Sequence, residues 1–385
     1  MRFCEFNGNY KVCKINEIAN VVGGGTPDTL NEKFWNGGIN WFTPTEIGHK
    51  KYVTISNRTI STDGLNNSSA KILPVGSILF SSRATIGEVS INLIETATNQ
   101  GFQSLVINNE NSNEYIYYLI QTLKKHFIKK ACGSTFPEIS NSEVSKTKIC
   151  IPKIQEQYKI AKFFSLLAQR IDTQSKIIED LELCKKKICY EIFSAKESYV
   201  KPLGSIISYG KAGGTPASTN KSYYNGNIPF LSISDMTEQG KYILKTEKTL
   251  SELGLKNSSA WLVPKNSLIL SMYASVGFVS ISKVELATSQ AMFSMIIEDK
   301  NLLEYVYYYL NYFKSFKIHR LLETGTQSNI NAEMVKNINI PFFDQTKNLL
   351  ITQFFNNFDL KIKKEKDILE LYKKQKAYLL KNMFI

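Results

Sequence analysis

The chain has no C-x-x-C pair, no Pro-Pro dipeptide, no G-x-x-x-x-G-K-[ST] loop and no run of 18 apolar residues. Each absence removes a class of function. Six cysteines (Cys4, Cys13, Cys132, Cys150, Cys184, Cys189) without C-x-x-C spacing support neither a zinc knuckle nor a thioredoxin-like site. They are expected to be reduced thiols buried as small apolar groups. Three scattered histidines, His49, His126 and His319, leave no His-rich metal site, so no metal is expected on this chain. Without a Walker-type loop there is no P-loop phosphate cradle. The first residues, "MRFCEFNGNYKVCKINEI", lack the apolar core of a signal peptide, and no segment is apolar enough to span a bilayer. A cytoplasmic protein with no membrane role is expected.

What is present is length and positive charge. At 385 residues the chain can hold two cores. A net charge of +13 suits a polyanion such as nucleic acid, although basic chains without such a partner exist.

The dominant feature is an internal repeat. "GGTPDTLNEKFWNGGINWF" (24–42) aligns without a gap on "GGTPASTNKSYYNGNIPFL" (213–231), with 8 of the 19 positions identical. The match continues through "GLNNSSAKILPVGSILFSSRATIGEVSI" (64–91) and "GLKNSSAWLVPKNSLILSMYASVGFVSI" (254–281), then "EYIYYL" (114–119) and "EYVYYY" (304–309). It closes with "KICIP" (148–152) on "NINIP" (337–341) and "FFSLLAQRI" (163–171) on "FFNNFDLKI" (354–362). A period this long, occurring twice, is a tandem domain duplication; solenoid repeats run at about 20–50 residues. Within each copy, short apolar runs such as "SILFSS", "EVSINL" and "SLILSM" are punctuated by Gly, Asn and Ser, as strands and turns are. One helical segment follows, at 113–131 and 303–322.

After Pro152 and Pro341 the texture becomes a long, charged helix without glycine. Phe164, Leu167, Ile171, Ile178, Leu181, Ile188 and Ile192 keep a 3-4 spacing, broken by Gln174 and Lys185. Phe355, Phe358, Ile362, Leu369, Tyr372, Leu379 and Met383 repeat the pattern, broken at the equivalent Glu365 and Lys376. Such seams predict a coiled coil, most simply an antiparallel pairing of the two helices. Full overlap would set Lys185 opposite Ile362 and Lys376 opposite Ile171. The two lysines either fix the register or snorkel outward. The fold class expected is therefore α+β: two homologous β-rich domains in tandem, each followed by a long helix. The segments are 1–152, 153–197, 198–341 and 342–385. A seam of about 43 Å, at 1.5 Å per residue, is near one turn of B-DNA, about 34 Å, the spacing of half-sites.

The ordered set G-G-T-P, "SSRATIG"/"SMYASVG", "TNQGF"/"TSQAM", I-x-I-P and a Gln-containing helix start ("QEQ" at 155–157, "DQT" at 344–346), all occurring twice, resembles the specificity (S) subunit of type I restriction–modification enzymes. The resemblance implies two target-recognition domains, each reading half of a bipartite, asymmetric double-stranded DNA sequence. It implies helical spacers that set the gap and dock methyltransferase (M) subunits, two of them, with restriction/translocase (R) subunits joining the complex. It further implies that this chain is non-catalytic and binds no cofactor, with S-adenosylmethionine, ATP and Mg²⁺ on the partners. The residues agree: an adenine methyltransferase needs an N/D-P-P-Y/F motif for a flipped base, and there is no Pro-Pro. Pro27-Asp28 with Glu46 and Lys50 evokes a nuclease, but "EIGHK" has the wrong spacing and the second copy reads Pro216-Ala217. A stand-alone duplicated DNA- or RNA-binding regulator fits the charge and the repeat equally; a protein- or glycan-binding adhesin fits the charge poorly.

Positions shared by the copies should serve folding and phosphate contact, and divergent positions base readout. Thr26 and Thr215 lie in turns that could bind phosphate or be purely structural. Thr85 and Ser275 are similar, and Gln100 and Gln290 could meet a base edge or a neighbouring strand. Ser134-Thr135 and Thr326-Gln327 sit in polar loops. The divergent candidates are Arg83, where the second copy has Tyr273, together with His49, Lys50, Lys51, Asn57 and Arg58 in one copy and Gln239, Lys241 and Lys245 in the other.

Overall fold

A computed structural model describes residues 1–133, 137–195, 199–273, 275–322 and 329–384. The chain forms two compact units, Met1–Ser175 with Asp367–Ile385, and Lys176–Lys366. Each unit combines one β-rich region with part of each of two long helices, Ile154–Phe193 and Gln345–Met383.

The β-rich regions share one plan. In the first unit a five-stranded sheet runs in the order Ala19–Gly23, Gln103–Ile107, Ile78–Phe80, Val89–Asn92, Tyr52–Val53. Beside it are a three-stranded sheet, Arg58–Ile60, Trp35–Phe42 and Thr96–Thr98, and a ladder of Lys11–Lys14 with Lys148–Ile151. The second unit repeats this order: Tyr209–Ala212, Met292–Ile296, Leu268–Ser271, Val279–Ser282 and Tyr242–Ile243. Its smaller sheet gains a fourth strand, Leu262–Val263; in the first unit the equivalent Leu73 makes only a single bridge to Thr96. The expected strand runs all form strands. The helical segment at 113–131 is two helices, Asn113–Thr122 and Lys124–Lys130, and its counterpart begins as Lys300–Phe316.

Shared residues mark shared backbone demands. Asn36 and Asn225 have φ of +58° and +59° at the bulge that interrupts each long edge pairing. At one turn the first copy uses Gly76 (φ +85°) and the second Asn266 (φ +65°), two residue types that tolerate the left-handed region. A Cβ on Gly24 or Gly213 would lie 2.0 Å from the carbonyl oxygen of Asn99 or Thr288, so the opening glycines are fixed by close backbone approach.

The cores are tyrosine- and phenylalanine-rich. In the first unit Tyr115, Tyr118, Phe164 and Phe384 are buried together, with Phe164 and Phe384 ring centroids 5.6 Å apart. In the second, Phe193 packs on Tyr305, Tyr309, Tyr312 and Phe355. Phe193 and Phe384 are equivalent in the repeat, and each closes the core of one unit at the C-terminal end of a long helix.

The seam residues are buried or half-buried throughout, as are Gln174 and Glu365. The pairing is antiparallel. In the second unit Phe193 meets Phe355, Glu182 pairs with Lys366 at 2.6 Å, and Lys185 pairs with Asp359. In the first, Phe164 meets Phe384 and the Arg170 guanidinium lies 4.6 Å from the Tyr372 ring. Lys185 reaches one turn short of Ile362, within the span of its side chain. Its ion pair, rather than outward snorkelling, satisfies it. The cysteines depart from expectation: Cys13 is buried and Cys150 and Cys189 half-buried, but Cys4, Cys132 and Cys184 are exposed because they lie in polar segments with no core above them.

Candidate functional site

Two polar pairs recur at the ends of the shared frame. Thr26 Oγ1 donates to Gln100 Oε1, and Thr215 Oγ1 donates to Gln290 Oε1 at 2.5 Å. Gln100 and Gln290 are exposed, and each amide nitrogen has no partner among the described residues. Each unit thus presents two N–H donors at the same point of the same scaffold, suited to a phosphate or base acceptor.

Around these pairs the units differ. The Arg58 guanidinium stacks 3.6 Å from the Trp35 ring centroid, and Trp35 meets Trp41 edge-on at 5.1 Å. Both indoles are anchored, Trp41 Nε1 donating to Gly25 O at 2.8 Å and Trp35 Nε1 to Asp28 O at 3.1 Å. Stacking holds the guanidinium flat while leaving it exposed. Arg83 pairs with Glu138 at 2.7 Å and is about half exposed. Tyr273, at the same place in the second unit, is 41% exposed. His49, Lys50, Asn57 and Lys245 are exposed loop residues, the Asn57 amide donating to Glu46 Oε1 at 2.6 Å. Thr85 Oγ1 donates to Pro44 O and Ser81 Oγ, whereas Ser275 is exposed with φ of +53°. Gln239 closes its own loop, donating to Lys245 O at 2.8 Å and accepting from the Leu244 amide at 2.9 Å. Ser134, Thr135, Thr326 and Gln327 lie outside the described residues.

Asp28 and Glu46, the acids of the nuclease-like fragment, serve turns instead. Asp28 accepts from the Leu30 amide, and Glu46 accepts from the amides of Thr43 and Asn57. Asp235 does the same for Ser232 and Glu247 in the second unit.

Lys51 and Lys241, equivalent in the repeat, are placed differently from the other basic candidates. Lys51 pairs with Glu114 at 3.1 Å and donates to Ser165 Oγ at 2.6 Å. Lys241 donates to Asn356 Oδ1 at 2.6 Å and to Tyr308 Oη at 2.9 Å, and faces Glu304 at 3.6 Å. Tyr52 donates to Glu114, and Tyr242 to Glu304 at 2.6 Å. Within each unit these groups join the β-rich region, the tyrosine-rich helix (Asn113–Thr122 or Lys300–Phe316) and one long helix (Ile154–Phe193 through Ser165, or Gln345–Met383 through Asn356). Burial pushes both lysines below their ordinary pKa, partly offset by the facing carboxylates. Burial works to raise Glu114 and Glu304, but their hydrogen bonds and the adjacent lysines outweigh it and hold both below the usual carboxylate range. Lysine-to-acceptor geometry of this kind makes a fastener of Lys51 and Lys241 rather than free surface cations. The sequence already carried the signal: Lys-Tyr at 51–52 and 241–242 and Glu at 114 and 304 are identical in both copies.

Two copies of one α+β scaffold, each followed by a long helix that pairs head to tail with the other, define the class of protein. A family model for the type I restriction modification DNA specificity domain matches residues 7–183 and again residues 195–372, and the chain belongs to that family. The type I restriction enzyme MjaIX specificity subunit of Methanocaldococcus jannaschii is 32% identical over 286 residues, covering 68% of this chain. The chain spans 65% of that relative, just under two thirds of its length. Among solved structures, the S subunit of a type I restriction–modification system from M. genitalium is similar with a TM-score of 0.57 at 15% identity, over 100% of this chain and 98% of that one. A chain from a structure of type I restriction–modification complex assembly and conformational transition is similar with a TM-score of 0.67 at 15% identity, covering 98% and 97%. At such identities these likenesses speak for the fold.

Proposed function

We propose that this chain is the DNA-binding specificity subunit of a type I restriction–modification complex. It reads a bipartite, asymmetric duplex target with residues 1–152 and 198–341 as target-recognition domains. Residues 153–197 and 342–385 are the helical spacers that dock methyltransferase and restriction subunits. The chain itself is non-catalytic and acts in the cytoplasm; S-adenosylmethionine, ATP and Mg²⁺ belong to its partners. The observation that carries this reading is one frame presented twice with different tips. Thr26–Gln100 and Thr215–Gln290 are the same in both units, while Arg58 and Arg83 in the first correspond in the repeat to Lys248 and Tyr273 in the second. Common donors suit phosphates, and diverged side chains suit two different base sequences. The net charge of +13 favours a polyanion. Lys51 and Lys241 are largely buried against internal partners and Gln239 closes its own loop, whereas Arg83, though paired with Glu138, stays about half exposed; the base-reading set is drawn from Arg58, Arg83, Tyr273 and the exposed loop residues.

Co-expression with the methyltransferase subunit of the same host, followed by modified-base sequencing, tests the proposal. The expected result is a stoichiometric complex and methylated adenines in one gapped, two-part motif. A chain that binds DNA alone, recovers no methyltransferase and leaves no methylation would instead be a stand-alone regulator.

A further inference from the structure

The two units differ where the helices Asn113–Thr122 and Lys300–Phe316 face the long helices. In the second unit Lys185 lies 5.4 Å from the Tyr308 ring centroid and pairs with Asp359, whose other oxygen accepts from Tyr308 Oη at 2.7 Å. The same places in the first unit are held by Lys376, Tyr118 and Ala168. Alanine removes the carboxylate, and Ser165 replaces the longer Asn356 beside it. Lys376, half-buried, has no ion pair or hydrogen bond among the described residues. It lines a groove of about 1330 Å³ with Ala168, Ser165, Tyr118, Lys162 and Lys50. In the second unit a cavity of about 310 Å³ runs along Glu304 and Asn356 but is lined by none of Lys185, Tyr308 and Asp359.

We propose that the groove of the first unit binds an acidic side chain of a partner polypeptide, whose carboxylate takes the place beside Lys376 that Asp359 takes beside Lys185. The second unit acts as the template: Lys185, at the equivalent position of the repeat, lies beside Tyr308 and is completed by a carboxylate. Partial burial makes an unpaired ammonium costly, so a carboxylate gains more here than at an open surface lysine. Burial also pushes the Lys376 ammonium below its ordinary pKa, opposed by Asp172. The lining distinguishes a protein side chain from a nucleic-acid phosphate. Tyr117 and Leu166 offer apolar surface for the methylenes of an aspartate or glutamate; Glu114 and Asp172 repel any anion, a polyanion more strongly than a single carboxylate, and Lys50, Lys51, Lys162 and Lys376 outnumber them. This inference does not depend on the DNA-reading proposal.

Calorimetric titration of the full-length chain tests it. The probes are a capped tetrapeptide carrying one aspartate, the same peptide with asparagine, inorganic phosphate and a short DNA duplex. The aspartate peptide is expected to bind at least about tenfold more tightly than its asparagine form, as a charge-assisted pair should. Binding should disappear in Lys376→Gln, which keeps the volume, and in Ala168→Asp, which supplies the carboxylate in cis. Ala168→Asp should melt at or above the wild-type temperature. Equal binding of the two peptides, binding retained in either variant, tighter binding of phosphate or duplex at Lys376, or a lower melting temperature for Ala168→Asp would each overturn the proposal.

Discussion

Lys241→Met tests whether the repeated lysine–glutamate–tyrosine group fastens each β-rich region to its helices. Lys241 donates to Asn356 and Tyr308 and faces Glu304, with side-chain exposures of 12% for Lys241 and 21% for Glu304. Exposed ion pairs contribute about 0–1 kcal/mol, while stripping one partner from a fully buried pair costs about 3–5 kcal/mol. Hydrogen bonds to a charged group contribute about 1.5–3 kcal/mol. Glu304 would keep Tyr242 and Asn356 as donors after the substitution, so the loss should fall near 2–3 kcal/mol. Lys51→Met should cost only about 1 kcal/mol, because Glu114 is 40% exposed. A chain with two units need not unfold in one step, so hydrogen exchange read by mass spectrometry on peptides of each unit is the assay. A double-mutant cycle with Glu304→Gln should return a coupling of about 1 kcal/mol. A cost below about 0.5 kcal/mol for Lys241→Met, or a larger cost for Lys51→Met, would refute the fastener.

Three further outcomes are expected. Phe384→Ala and Phe193→Ala should each cost about 3–5 kcal/mol, the former read in exchange of the first unit and the latter in the second, since each ring is buried in one core. Glu114 and Glu304 have depressed folded-state pKa values, so their stabilisation is present above the unfolded value of about 4.3 and is lost as pH falls through the folded values. Melting between pH 3 and 6 should show that acid loss, and Glu114→Gln with Glu304→Gln should flatten it, leaving a lower but more level curve. Arg83→Tyr, importing the side chain of the second copy, should change preference at one half of the target by about 1–3 kcal/mol per affected base pair and leave the other half unaltered, as measured by competition binding of duplex variants.

Fold organisation was legible because duplication wrote it twice. The seven-position seams predicted antiparallel pairing to within a turn, and the short apolar runs became the sheet strands. What escaped was long-range. The ladder between Lys11–Lys14 and Lys148–Ile151 joins segments more than 130 residues apart, and no local period announces such pairing. Phe193 and Phe384 lie one residue beyond the seam, so a 3-4 pattern passes over them although they are the rings that close each core. Cys132 and Cys184 show the reverse error, where residue type suggested burial and position decided against it.

The site was legible in a narrower sense, and the duplication shows why. Charge and divergence are visible in a sequence, but whether a cation is available is a property of its neighbours. Lys51 and Arg83 read alike as basic residues in variable stretches. Lys51 is held by a glutamate and a serine that recur, as glutamate and asparagine, around Lys241, whereas Arg83 meets Glu138 at a place where the second copy has Tyr273 and Asn329. Identity between copies at a charged position therefore argues for an internal partner, and the partner is itself found among the identical positions. The converse case is Lys376, retained from Lys185 while its acid Asp359 is replaced by Ala168. A charge shared by both copies whose acidic neighbour is present in only one marks where the two units differ in polar partners, and the carboxylate-binding proposal follows from that difference.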